Sequence, residues 1–165
     1  MREADLEQLY ARLERPLCNV LYRWLWSMDE AQDVAQEAFV RLWRMRDRVR
    51  LETVEPPVYR IAVNLARSRR RRRSLWRWVS LEAVRDRAST VRPADETLAS
   101  RERGAEVRAA VEALPDDLRS VVLLTELSEL SYAEIGEILS IPAGTVGSRR
   151  HRALRRLRAA LGSAE

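Results

Sequence analysis

The stretch LSYAEIGEILSIPAGTVGSRRHRALRRL, residues 130–157, decides the fold. Ser131 stands where a helix N-cap belongs, and Tyr132, Ile135, Ile138 and Leu139 repeat behind it at helical spacing. Ser140-Ile141-Pro142 reads as a tight connection. A basic helix follows from about Ala143 to Leu161, with Val146, Ala153, Leu154 and Leu157 on its inner face. Ala133 and Gly136 are small and fall where two helices must cross closely. Two short helices, a tight turn and a basic helix make a helix–turn–helix. The N-terminal part of its last helix enters the major groove. Thr145, Ser148, Arg149, His151 and Arg152 fall on or beside that outer part, where such side chains reach base edges or phosphates.

The rest of the chain is helical by the same reading. Upstream, Val107, Ala110, Val111 and Leu114 form a helix that starts near Glu102 and stops at Pro115. Asp116 or Asp117 opens the next helix, which buries Leu118, Val121, Val122 and Leu124. Near the N-terminus, residues 4–26 carry Leu6, Leu9, Tyr10, Leu13, Leu17, Val20, Leu21 and Trp24 on one stripe. Pro16 should kink that helix or shift its start. Ser27-Met28-Asp29-Glu30 fits a capping box for a second helix running to about Arg46. Its core face is Ala31, Val34, Ala35, Ala38, Leu42 and Met45, and Asp33, Gln36 and Glu37 lie together on another face. Acids near a helix start also favour the helix dipole. After a polar loop, 47–57, a third helix begins at Pro57. It shows Val58, Ile61, Ala62 and Leu65 and then becomes an arginine run. Strand signals are nearly absent. The expected fold is all-α: helical domains at 1–79 and 104–165, joined by a flexible acidic linker at 80–103, the second domain a helix–turn–helix.

Composition narrows the chemistry. The 30 basic residues are all arginine and face 25 acids, for a net charge of +5 over 165 residues. The charge is blocked: residues 65–79 hold seven arginines and no acid, and 144–165 hold six arginines and one acid. Two basic blocks separated by an acidic stretch suit one polyanion touched at two places. One cysteine, Cys18, and one histidine, His151, build neither a disulfide nor a zinc site. No phosphate-binding glycine loop is present among five glycines. No apolar run is long enough to span a bilayer, and the first residues carry no signal-peptide core. The expectation is an intracellular binding protein without cofactor, metal or catalytic residues.

Four stretches, in order, resemble one family. DEAQDVAQEAFVRLW (29–43), VYRIAVNLARSRRRRR (58–73), ALPDDLRSVVLLTELSELSYAEIGEIL (113–139) and IPAGTVGSRRHRALRRL (141–157) are similar to segments of the extracytoplasmic-function sigma factors. These are small two-domain initiation factors of bacterial RNA polymerase. The resemblance implies a cytoplasmic, non-enzymatic subunit that directs the polymerase to promoters and helps melt the −10 element. Asp33, Gln36 and Glu37 would meet the basic coiled coil of the β′ subunit in the core polymerase, which also contains β. Asn64 would pair with a −10 base edge, and the loop 47–57 would receive a flipped base. Arg60, Arg67, Arg69 and Arg70, with the rest of the run to Arg73, would hold phosphates. Thr145, Ser148, Arg149, His151 and Arg152 would read the −35 duplex. Core polymerase and promoter DNA are the implied partners, and an anti-sigma factor is a further one that would hold the protein inactive.

Four positions depart from the family pattern. Pro57 replaces a usual aromatic, Thr125 a frequent arginine, Gly147 a common arginine or lysine, and Arg150 a usual leucine or isoleucine. Spacing points Arg150 inward, so its long side chain must snorkel or the helix must rotate. Trp43 continues a core pattern. For Trp76 and Trp78, a place in the core or an interface is the leading reading. Cys18 is a small core or surface residue. The rival function is a stand-alone helix–turn–helix regulator, against which the 29–43 segment and Asn64 argue.

Overall fold

The computed structural model describes residues 1–79 and 98–162. The chain divides into two compact units, Met1–Thr90 and Val91–Glu165. Among the described residues there are seven α-helices, two 3₁₀ turns and no strand. Most of the expected linker, residues 80–97, lies outside the described residues. Its end, 98–103, is helical, so α4 starts about four residues before the expected position.

The first unit is three mutually packed helices: α1 (Glu3–Leu25), α2 (Met28–Arg44) and α3 (Glu55–Val79). The expected stripe of α1 is realised, with Leu9, Leu13, Leu17, Val20, Leu21 and Trp24 buried, whereas Leu6 and Tyr10 are half-buried. Pro16 neither ends α1 nor moves its start. Trp26 closes the helix in a left-handed conformation, φ 54°, and donates its N–H to the Tyr22 carbonyl. Ser27 caps α2 through a bond from the Glu30 N–H, 3.3 Å. The carboxylate of Glu30 pairs with Arg73 across the bundle, where the sequence pattern had it returning to Ser27. Ala31, Ala35 and Ala38 are fully buried and let α2 lie close to its neighbours. Tyr10 and Phe39 meet edge to face, with centroids 4.9 Å apart.

Several expected core positions turn out otherwise. Met45 is 44% exposed, because α2 stops at Arg44 and Met45 is the cap beyond it. The helix α3 starts at Glu55, with both prolines in its first turn, where missing N–H groups cost nothing. Its inward arc is Val58, Tyr59, Ala62, Val63 and Ala66, and Ile61 and Leu65 are only half-buried. The arc is rotated because α3 packs on both α1 and α2. Trp43 is half-buried, with the Arg46 guanidinium 4.7 Å from its ring centre. Trp76 is 70% exposed, which excludes the core half of the core-or-interface reading, while Cys18 is buried. The side chain of Trp78 lies outside the described residues.

The second unit holds α4 (Leu98–Glu112), α5 (Asp116–Leu127), α6 (Tyr132–Leu139) and α7 (Ala143–Gly162). Its core joins Ala110, Val111 and Leu114 to Leu118, Val121, Val122, Leu124, Ile135, Ile138, Val146 and Ala153. The capping box at Ser131 and Glu134 is complete, and its hydrogen bonds hold the Glu134 carboxyl below the ordinary range. Ser140 supplies the left-handed residue that turns the chain, φ 57°. Gly136 is where backbone meets backbone. A Cβ there would lie 2.6 Å from the Ile141 carbonyl oxygen, and the Ile141 N–H donates to the Gly136 carbonyl at 2.9 Å. The close approach is therefore to the returning turn. Ala133 takes no part in it: it is exposed in the first turn of α6.

Candidate nucleic-acid and partner interfaces

The face of α2 expected to dock a partner is exposed. Asp33 and Gln36 are open to solvent and Glu37 is half-buried. This face is not electrostatically free. Arg41 pairs with Glu37 at 2.6 Å along the helix, and Arg69 of α3 lies 3.9 Å from Asp33 and 3.7 Å from Glu37. One turn further on, Arg73 pairs with Glu30 and donates to the Leu25 carbonyl at 3.3 Å. The acids recur every three or four residues on α2, and the arginines every four on α3. The two sets meet as an ionic ladder.

The residues expected at the −10 element separate accordingly. Arg60 and Asn64 are exposed on α3. Arg67 is half-buried, its guanidinium 5.9 Å from the Trp24 ring centre. Arg69 belongs to the ladder, and Arg70 is half-buried. Arg71 and Arg72 are exposed, Arg71 donating to Ser68 Oγ at 3.5 Å. The loop before α3 contains two 3₁₀ turns, Arg46–Arg48 and Leu51–Thr53, with Leu51 exposed and Val54 buried.

On α7 the expected recognition residues share one side. Thr145, Ser148, Arg149 and Arg152 repeat at three- and four-residue steps, so they form a stripe, and His151 lies beside it. Ser148, His151 and Arg152 are exposed. Ser148 Oγ donates to the Thr145 carbonyl at 3.1 Å. Arg149 leans on Asp117 of α5, 3.6 Å away. Arg150 resolves its inward spacing by snorkelling: Nε donates to Glu126 at 2.7 Å, and that carboxylate raises its pKa. Gly147 has room, since a Cβ would only touch the Tyr132 ring at 3.5 Å.

Sequence reading passed over Arg119, which is 1% exposed. Its guanidinium donates to the carbonyls of Val111 (2.9 Å), Glu112 (2.6 Å) and Leu114, and to Asp116 at 2.9 Å. It thus closes the corner after α4, adding a donor to the Val111 carbonyl, which also accepts the Leu114 N–H at 3.2 Å, and to the carbonyls of Glu112 and Leu114. The available signal was its place just after the Pro115 helix stop, where an arginine satisfies terminal carbonyls. Among the described residues, no helix is long and apolar enough to cross a membrane.

The family described as Sigma-70 region 2 matches residues 9–75, spanning most of α1 to α3. The family described as Sigma-70, region 4 matches residues 104–157, from α4 into α7. The chain is 35% identical over 165 residues to the ECF RNA polymerase sigma factor SigW of Bacillus subtilis, covering 94% of this chain and 86% of that one. It is 36% identical over 138 residues to the ECF RNA polymerase sigma factor SigE of Mycolicibacterium smegmatis. That match covers 83% of this chain but spans only 54% of the relative's length. Among solved structures, the sigma factor RpoE of Bartonella quintana, co-crystallised with the anti-sigma factor NepR, is similar with a TM-score of 0.73 at 22% identity. That likeness covers 98% of this chain and 99% of the other. CnrH, in complex with the cytosolic domain of CnrY, is similar with a TM-score of 0.71 at 24% identity, covering 97% and 89%.

Proposed function

The chain belongs to the extracytoplasmic-function sigma factors, and from that premise we propose that it directs bacterial RNA polymerase to promoters and helps to open them. It acts in transcription initiation as a polymerase subunit that binds DNA and carries out no chemistry of its own, in the cytoplasm. The α2 face of Asp33, Gln36 and Glu37 docks on a basic surface of the β′ subunit. The exposed side of α3 around Arg60 and Asn64 holds the −10 strand, with the preceding loop receiving an unstacked base. The outer stripe of α7, from Thr145 to Arg152, reads the −35 duplex. An anti-sigma factor that covers these faces is the expected inhibitor.

The observation that carries this reading is the pairing of two kinds of surface on one chain. A stand-alone regulator needs the recognition stripe of α7. It has no use for an exposed acidic helix face beside a second helix that ends in an arginine run.

The test is association with core polymerase lacking any sigma factor. The wild-type chain should co-elute with it in size-exclusion chromatography. Asp33→Arg with Glu37→Arg should abolish co-elution. Asp33→Asn with Glu37→Gln, which sets no new cation against Arg69, should weaken affinity at least about tenfold. A folded, inhibitor-free wild type that fails to co-elute at low salt sinks the sigma reading in favour of a stand-alone regulator.

A further inference from the structure

The arginine run at the end of α3 looks like one cationic block in sequence, and the structure gives its members different surroundings. We infer that the run is two surfaces: Arg69 and Arg73 brace α3 against α2, while Arg71 and Arg72 extend the phosphate-binding track that begins at Arg60, on the side of α3 that carries Asn64. The inference rests on the reading that α3 contacts DNA, and it moves that contact off Arg69.

Helix geometry draws the line. At about 100° per residue, Arg71 falls roughly 20° from Asn64 around the α3 axis, and Arg72 roughly 80°. Arg69 falls about 140° away and Arg73 about 180° away. The contacts agree with the register. Arg69 reaches Asp33 and Glu37, and Arg73 reaches Glu30 and the Leu25 carbonyl, all on the bundle side. Arg60, Asn64, Arg71 and Arg72 are exposed, whereas Arg69 and Arg73 are half-buried. A guanidinium already set against carboxylates has less to gain from a phosphate, because it must first leave an opposite charge. An exposed one releases counterions from the nucleic acid with its full charge.

The chemistry recognised is the sugar–phosphate backbone, without base preference. Its signature is salt dependence. The full chain is titrated against a labelled single-stranded oligonucleotide over a range of salt concentrations. Arg71→Gln with Arg72→Gln should lower the slope of log K against log salt by about 1.4 in magnitude, two phosphate contacts on a single strand. Arg69→Gln with Arg73→Gln removes the same net charge. It should leave the slope within roughly 0.3 of wild type, and lower the melting temperature of the first unit by roughly 5 °C. If that variant is unfolded at the assay temperature, the single variants Arg71→Gln and Arg69→Gln make the same comparison, with an expected difference of about 0.7.

Equal slopes for the two doubles overturn the division, whether both fall or neither does. If the wild type still co-elutes with polymerase, the sigma reading survives that result. A split in slopes without co-elution has the opposite meaning: the division stands and the sigma reading fails.

Discussion

Arg119→Met is expected to cost the second unit about 4 kcal/mol, measured by urea unfolding followed through helix circular dichroism. Arg119 is 1% exposed and donates to the last two carbonyls of α4, Val111 and Glu112, and to that of Leu114 in the turn beyond it, with Asp116 as a partly exposed fourth partner. Methionine fills much of the same volume and removes every donor. The Val111 carbonyl keeps the Leu114 N–H, a buried carbonyl that loses its donor costs about 1–3 kcal/mol, and apolar burial of the thioether offsets part of the sum. The ion pair with Asp116 adds little, because that carboxylate sits largely in solvent. Arg119→Lys should recover less than half of the loss. An ammonium is a point charge without the planar fork that reaches several carbonyls at once. A cost below about 1 kcal/mol for methionine would mean that water reaches the end of α4 and that the arginine is dispensable there.

Gly136→Val is expected to cost about 3 kcal/mol and to lower affinity for duplex DNA through the misplacement of α7. A Cβ at Gly136 meets the Ile141 carbonyl oxygen at 2.6 Å, and that oxygen is backbone, so no side-chain rotation relieves it. The turn must open by several tenths of an ångström, against the hydrogen bond from the Ile141 N–H to the Gly136 carbonyl. Overpacking of this kind costs about 1–3 kcal/mol, and a β-branched side chain adds χ1 restriction inside a helix. Gly136→Ala should cost less, because alanine regains about 1 kcal/mol of helix propensity. Gly144→Ala is the control. Nothing lies within 4 Å of its Cβ position, and it should gain roughly 0.5–1 kcal/mol. If the two alanine variants matched in stability, the close approach at Gly136 would carry no energetic weight.

Periodicity made most of this fold legible before any coordinate. The stripe of α1, the buried alanines of α2, the tight turn at Ser140 and, on the inner face of α7, Val146 and Ala153 follow from spacing and end signals, which are local properties, whereas Leu154 and Leu157 on that face are only half-buried. What spacing missed depends on neighbours far along the chain. Ile61 and Leu65 looked like the core of α3, yet Tyr59, Val63 and Ala66 share that place because two helices press on α3 at once. Met45 fits the α2 period, but the helix ends one residue before it. Arg119 reads as an ordinary surface arginine until the corner between α4 and α5 closes around it.

The candidate sites follow the same rule. The outer stripe of α7 proposed for recognition is a one-helix pattern, legible from spacing alone. The ladder of Glu30, Asp33 and Glu37 with Arg69 and Arg73 joins residues 32–43 positions apart, and nothing in either helix alone announces it. The acids were legible as a face and the arginines as a block. That the face and part of the block meet each other is a tertiary fact. Arg150 is an intermediate case. Its inward spacing was visible, and its partner Glu126, on another helix, was not.

The tryptophans carry one more consequence. All five, Trp24, Trp26, Trp43, Trp76 and Trp78, lie in the first unit, and the only aromatic residue of the second is Tyr132. Indole fluorescence excited at the red edge of the band is therefore an intrinsic reporter of one half of the molecule. Far-ultraviolet dichroism sums both halves. Compared on the native, unlabelled chain, the two signals thus separate the unfolding of the first unit from that of the whole.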